Sequence, residues 1–191
     1  MADPVATTAR LILRPWREGD RGDWSRHLNT DEVRFHIGGA FPPEETGAAF
    51  GRLLNSWPTR GYGMLAIERQ ADGLLLGLAG YGPITGEAAP AEMRGGPEVG
   101  YQLRAEACGH GYATEAARAV LDLIFVRTDA PVAWGQTSER NARSGAVFRR
   151  LGLTPRPDLA YDDPEYETLE NPTQVWEMRR EQMRREHWPC G

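Results

Sequence analysis

Two glycines ahead of a long amphipathic run are the first residues of this 191-residue chain whose types and spacing could do chemistry. Gly109-His110-Gly111 leads into Tyr112-Ala113-Thr114-Glu115-Ala116, and apolar residues then recur at helical spacing to Val126. Glycine lets the backbone come close to a ligand. The start of a helix leaves several N–H groups unpaired and partly positive. Together they make an anion site that needs no basic side chain, and the bend from Cys108 to Thr114 suits a pyrophosphate. Plain helix–turn geometry would give the same glycine pair. A dinucleotide fingerprint fits worse, because Thr114 stands where its third glycine belongs and five residues separate Leu103 from Gly109.

Composition removes several other chemistries. All 22 basic residues are arginine, which excludes a Walker A loop and a lysine Schiff base. The net charge of −5 argues against broad nucleic-acid binding. His27, His36, His110 and His187 show no metal spacing, and Cys108 and Cys190 make neither a close pair nor a disulfide framework, so no metal is expected and a reducing cytoplasm fits. No apolar run reaches the roughly 18 residues of a membrane span, and Met1-Ala2-Asp3-Pro4 does not open like a signal peptide. The length suits a single domain over residues 1–191, with its core at about 8–179 and a charged, peripheral tail over 180–191.

The elements that must position the turn follow from the same pattern. Leu11-Ile12-Leu13, stopped by Pro15, reads as a strand at or near a sheet edge. Asp20 to Leu28 reads as a short helix, and Asp31-Glu32-Val33 opens a loop or half-helix running to Gly38-Gly39. A helix starts at Pro42-Pro43-Glu44-Glu45, buries Ala49, Phe50, Leu53, Leu54 and Trp57, and ends at Pro58. Gly63 to Glu68 and Leu74 to Ala79 form a hairpin around Asp72-Gly73, the second run reaching Tyr81. Thr85 to Pro97 reads as a loop whose length implies mobility or a place beside the site. Glu98 to Leu103 is a strand. Tyr112 to Val126 is a helix with a charged stripe of Glu115, Arg118 and Asp122, and Val132 to Thr137 is a further strand. Asn141 to Leu151 is a helix closed by Gly152, with Ser144, Val147, Phe148 and Leu151 facing inward. The loop Asp158 to Pro172 precedes a last strand, Gln174 to Arg179. This order predicts a mixed α/β (α+β) fold, a mixed sheet with helices on both faces.

Glu98-Val99-Gly100-Tyr101, the glycine turn with Thr114-Glu115-Ala116, Asn141-x-x-Ser144 and Leu151-Gly152-Leu153 occur in an order that resembles the GNAT acetyltransferases. Thr8 to Pro15 is similar to the opening strand of the branch that includes the ribosomal-protein N-terminal acetyltransferases, and the resemblance spans roughly Thr8 to Arg179. It implies a central, mostly antiparallel twisted sheet and transfer of acetyl from acetyl-CoA, as co-substrate, to an amine acceptor. A homodimer is among the partners it allows. The family's turn motif falls on Cys108-x-x-Gly111-x-Ala113, where Cys108 replaces the usual Gln or Arg and removes one side-chain contact. The cofactor-binding positions implied are Tyr101, Gln102, Leu103, Cys108, Gly109, His110, Gly111, Tyr112, Ala113, Thr114, Asn141 and Phe148. Leu103 would pair through its backbone with the pantetheine arm.

Amines attack as free bases, so a base is needed far more for a lysine-like amine than for an α-amine. Glu98 is the candidate base, directly or through a water, and Ser144 the candidate acid for the leaving thiolate. Other readings stand beside these. Asn141 could cap its helix, Ser144 could be a packing residue, Glu98 a solvated strand-end carboxylate, and Arg149 or Arg150 surface charge or a phosphate contact. Asp162, Asp163, Glu165 and Glu167 could attract a cationic acceptor or simply line a solvated loop. The rival functions are a non-catalytic acyl-CoA-binding module on the same fold and an interaction protein with no cofactor.

Overall fold

The computed structural model describes residues 3–166 and 170–185. Glu167, His187 and Cys190 lie outside the described residues, as does the tail from 186. The fold is a central, mostly antiparallel twisted sheet flanked by helices. The chain divides into two compact units, residues 1–81 with 100–120 and residues 82–99 with 121–191.

In the first unit the strands are β1 (Ala6–Thr7), β2 (Leu11–Arg14), β3 (Gly63–Arg69) and β4 (Leu75–Pro83), paired antiparallel in that order. The predicted first strand is therefore second from the edge, with the two-residue β1 outside it. Helices α1 (Arg21–His27), α2 (Asp31–Arg34) and α3 (Pro43–Arg60) come between β2 and β3. Trp16, Trp24, Leu28 and Phe50 pack with Ala66, Leu75 and Leu78, and the rings of Trp24 and Phe50 lie 5.4 Å apart.

Helix α3 runs through Pro58, where the sequence predicts a stop. A proline so close to the C-terminus forfeits only its own bond back to Leu54, and Trp57 holds the last turn by packing edge-on against Tyr81 at 6.0 Å. The stop comes at Gly61, whose φ of +71° and N–H to the Trp57 carbonyl close the helix.

Strand β5 (Pro97–Leu103) and helix α4 (Tyr112–Arg127) each run through both units. In the second unit β6 (Val132–Ser138) lies parallel to the start of β5 at a single registered pair, Glu98 opposite Trp134. It pairs over its full length with antiparallel β8 (Thr173–Arg179), which also carries the two-residue β7 (Thr154–Pro155). Helix α5 (Ala142–Arg150) connects β6 to β7. Trp134 and Val175 pack with Ile84, Ala89 and Met93. The segment Thr85–Pro97 is a loop up to its last residue, as its composition predicts, and its middle is packed into this unit. The Ile84 N–H donates to the Gly96 carbonyl and the Gly95 N–H to the Ile84 carbonyl across its neck, and Met93 is completely buried. The tail is not wholly peripheral. Arg180 begins a short helix, α6 (Arg180–Arg185), and its guanidinium donates to the carbonyls of Phe125, Thr128 and Ala130.

Arg14 closes β2 with a buried charge. It is only 3% exposed and donates to Asp20 at 2.7 and 2.9 Å and to Glu68 at 2.7 Å. Removing one member of such a cluster leaves buried charge without a partner. Arg14→Ala is expected to lower stability by about 3–5 kcal/mol in chemical denaturation. A loss near zero would mean that Asp20 and Glu68 are adequately solvated without it.

Candidate active site

The glycine turn takes the conformation its residues allow. Gly109 and Gly111 have φ of +83° and +80°, a region that costs other residues steric strain. A Cβ at Gly109 would meet nothing within 4 Å, so the turn presents bare backbone to open space. The first helical bond of α4 runs from the Glu115 N–H to the Gly111 carbonyl at 3.1 Å. The N–H groups from Gly111 to Thr114 therefore have no acceptor inside the helix, the backbone arrangement that an anion cradle requires.

The side chains around the turn serve its shape. The His110 ring donates from Nδ1 to the Cys108 carbonyl at 2.9 Å and stacks on Tyr112 at 5.8 Å. Tyr112 is buried, with the Arg10 guanidinium 4.6 Å from its ring centre. Arg10 Nη1 donates to the His110 carbonyl at 3.0 Å. Cys108 is an exposed free thiol. Glu115 is not part of a solvated stripe. It accepts from the Thr8 hydroxyl at 2.6 Å, the Arg10 N–H at 2.9 Å and Arg10 Nε at 2.6 Å. Burial alone would raise its pKa, but these donors outweigh burial and hold it below the ordinary carboxylate range.

The residues between Gly100 and Leu103 are half-buried. Gln102 Nε2 donates to the Leu28 carbonyl at 2.7 Å, so its side chain is committed to the unit's interior and only its main chain is left to meet a ligand. The Arg104 N–H donates to the Leu76 carbonyl at 2.8 Å and ties the end of β5 to β4. Gly77 makes that approach possible, since a Cβ there would lie 2.1 Å from the Gln102 carbonyl oxygen.

In the second unit, Glu98 is not a solvated strand-end carboxylate. Protein surrounds it on most sides, and burial is the main reason its pKa rises from near 4.5 to about 7. A hydrogen bond from Gln136 opposes the rise, and the negative charge of Asp163 adds to it. Folding stability follows the same shift. The contribution from Glu98 is fully present below about 4.5 and is lost as the pH rises through about 7. Gln136 accepts from the Tyr161 hydroxyl at 2.7 Å, and the same hydroxyl lies 3.5 Å from Asp163 Oδ2. The sequence reading missed Gln136 and Tyr161. One signal for Gln136 was available, because it follows Trp134 by two on a strand and so shares that face as a polar residue.

Asn141 caps α5, its Oδ1 accepting the Ser144 N–H at 3.1 Å. Ser144 is half-buried in the first turn of that helix. Phe148 is 2% exposed, with its ring against Gly135, where a Cβ would clash at 2.8 Å, and 5.9 Å from Trp176. Arg149 lies over the Trp176 ring at 5.6 Å. Among the described residues no His, Cys, Asp or Glu cluster could hold a metal, and no helix is long and apolar enough to cross a membrane.

Comparison with known proteins places this geometry. An acetyltransferase from Agrobacterium tumefaciens is 28% identical, with a TM-score of 0.73 over 94% of this chain and 96% of that one. A Salmonella typhimurium acetyl transferase that modifies the N-terminal serine of ribosomal protein L7/L12 is 18% identical, with a TM-score of 0.71 over 93% and 99%. An aminoglycoside acetyltransferase in complex with coenzyme A is 17% identical, with a TM-score of 0.73 over 92% and 98%. At that level the last two share the fold alone. A sequence profile of the acetyltransferase (GNAT) domain matches residues 10–154, from the arginine that braces the turn to the end of α5 and beyond. A match over that share of its length makes this chain a member of the GNAT acetyltransferase family.

Proposed function

We propose that this protein transfers an acetyl group from acetyl-CoA to a primary amine, either a protein N-terminus or a small amine, by direct attack in a ternary complex. One observation carries the reading. Glu98, whose proton leaves near neutrality, stands on the strand that leads into the bare-backbone turn ahead of α4. General bases work best with a pKa close to the operating pH. Because β5 and α4 run through both units, residues 1–191 are read as one acetyltransferase domain with its core at about 8–179. The opening Thr8 to Pro15 favours the ribosomal-protein N-terminal branch, while the aminoglycoside enzyme shows that the same fold serves small amines elsewhere.

The cofactor roles are assigned segment by segment. Main-chain donors of Gly109, His110, Gly111, Tyr112, Ala113 and Thr114 would hold the diphosphate of the cofactor, with Cys108, whose N–H donates to the Ala105 carbonyl at 3.1 Å, bordering it. Backbone groups of Tyr101, Gln102 and Leu103 would pair with the pantetheine arm as a strand does, and one of their N–H groups would polarise the thioester carbonyl. Asn141 would contact the arm while capping α5, and Phe148 would back that helix from below. Acetyl-CoA supplies the activated acyl group. Glu98 takes the proton from the incoming ammonium, directly or through a water, and Ser144 returns a proton to the departing thiolate.

Three measurements test this assignment. Thiol release with a panel of amines should require both acetyl-CoA and an acceptor, and kcat/KM should rise with pH through about 7. Glu98→Gln should cut the rate at neutral pH by about 10²–10⁴-fold and leave acetyl-CoA affinity nearly intact. The same substitution should raise the melting temperature at pH 8 but not at pH 5, because only the ionised carboxylate is disfavoured by the fold. Binding of acetyl-CoA without acceptor-dependent turnover would instead make the chain an acyl-CoA sensor. The turn has its own test. Gly111→Val should weaken acetyl-CoA binding about tenfold and leave pantetheine, which lacks the diphosphate, unaffected in calorimetry. An equal loss for both ligands would move the diphosphate away from this turn.

A further inference from the structure

Glu98 has a neutral partner whose orientation another residue sets. A side-chain amide presents a carbonyl on one side and an NH₂ on the other, and the two are exchanged by a half-turn of the side chain. Gln136 Oε1 accepts from the Tyr161 hydroxyl at 2.7 Å, which leaves Nε2 as the end of the amide that can donate to Glu98, and Gln136 lowers the proton affinity of Glu98 as a donor does. Tyr161 is itself well anchored. Its main chain exchanges both hydrogen bonds with Thr173 at the start of β8, at 3.3 and 2.8 Å. Asp163, the alternative acceptor for its hydroxyl, lies farther away at 3.5 Å. The loop carrying Asp163 is pinned in turn, because its N–H donates to Asn171 Oδ1 at 2.9 Å and Asn171 Nδ2 donates back to its carbonyl at 3.1 Å.

We propose that Tyr161 is a positioning residue for the acetyl transfer, one that locks the Gln136 amide so that its N–H and not its carbonyl is turned to Glu98. This rests on Glu98 being the base. The consequence is electrostatic. A donor favours the ionised carboxylate, the form that can take a proton, whereas a carbonyl in its place favours the protonated acid. In the reversed arrangement Glu98 donates to Gln136 Oε1, Gln136 Nε2 donates to the tyrosine oxygen, and the tyrosine hydroxyl falls back on Asp163. The short bond from Tyr161 to Gln136 favours the base-competent arrangement over this one.

The other groups that bear on Glu98 are few among the described residues. Asp163 faces it with like charge and pushes its proton affinity up, against Gln136. Tyr161 is held neutral by burial, Asp163, Glu98 and Tyr166, so at working pH it acts only as a hydrogen-bond donor. Glu177, opposite Trp134 on β8, is engaged by Arg156 at 2.7 Å and Arg179 at 2.9 Å. The proton affinity of Glu98 is thus set by two neighbours pulling in opposite directions, and substitutions at the two should move it oppositely.

The experiment is a carbon-13 NMR titration of the glutamate carboxyls in the full-length protein. The Glu98 signal is assigned by its loss in Glu98→Gln, and kcat/KM is followed against pH in parallel. Tyr161→Phe and Gln136→Met should each raise the Glu98 midpoint by about one pH unit and lower kcat/KM at pH 6 about tenfold, with little change at pH 9. Asp163→Asn should lower the midpoint. A midpoint unmoved in Tyr161→Phe overturns the proposal, whatever happens in Gln136→Met or to overall stability. If Tyr161→Phe does not fold, Tyr161→Met, which also removes the hydroxyl, carries the same test. Failure of the underlying reading looks different: the midpoint would move as expected in the titration, but kcat/KM would ignore both it and Glu98→Gln.

Discussion

Glu115 carries the hydrogen bonds on which the turn depends. Its carboxylate takes three donors from Thr8 and Arg10, more than a hundred positions earlier in the chain. The Arg10 side chain continues to the His110 carbonyl and covers the Tyr112 ring. Of the three residues in the turn only His110 has a side chain to hold it, and glycine loses more conformational freedom on folding than any other residue. Most of the bracing must therefore come from outside, and the connection between β1 and β2 supplies it. The acid in the first turn of α4 serves two ends at once, since it also complements the positive end of the helix.

Glu98 follows the opposite logic. Glu115 is surrounded by donors and kept firmly ionised, whereas Glu98 has one donor, one like charge and a largely protein environment. Two glutamates in one fold are thus driven apart in proton affinity by their surroundings, one into a structural latch and the other into a group that exchanges protons near neutrality. The second condition is unfavourable for stability at neutral pH, a cost that the catalytic role proposed for Glu98 would account for.

Much of this was legible in the chain. The period of the apolar residues located α3, α4 and α5, the Asp72-Gly73 turn located the β3–β4 hairpin, and Gly109 and Gly111 stood where positive φ was needed. What could not be read depended on register and on long-range pairing. Helical spacing shows that Glu115 lies on a polar face but not that this face meets Arg10. Strand alternation shows that Glu98 and Gln136 are polar residues on strands, but the pair Glu98↔Trp134 is needed to put them on one face. Tyr161 lies in a segment with no period at all, and only its exchange with Thr173 gives it a place. Pro58 misled because a proline is decisive in the middle of a helix and tolerable in its final turn.

If Glu98 is the base, as proposed above, its proton affinity also bears on the kind of amine it would serve. A base with a pKa of about 7 takes a proton from an α-ammonium, at 7.7–8.0, at an uphill cost of only about 1–1.4 kcal/mol. From a lysine-like ammonium at 10.4 the same transfer costs about 4–5 kcal/mol, and the acceptor's environment must make up the difference. A carboxylate at its ordinary pKa would add some 3 kcal/mol to either figure. Raising the pKa therefore helps every amine by the same amount, but it brings only α-amines within reach of near-balanced transfer. On that proposal the N-terminus of a peptide, or an amino acid, would suit the site better than a lysine side chain, independently of any likeness to enzymes that modify ribosomal proteins.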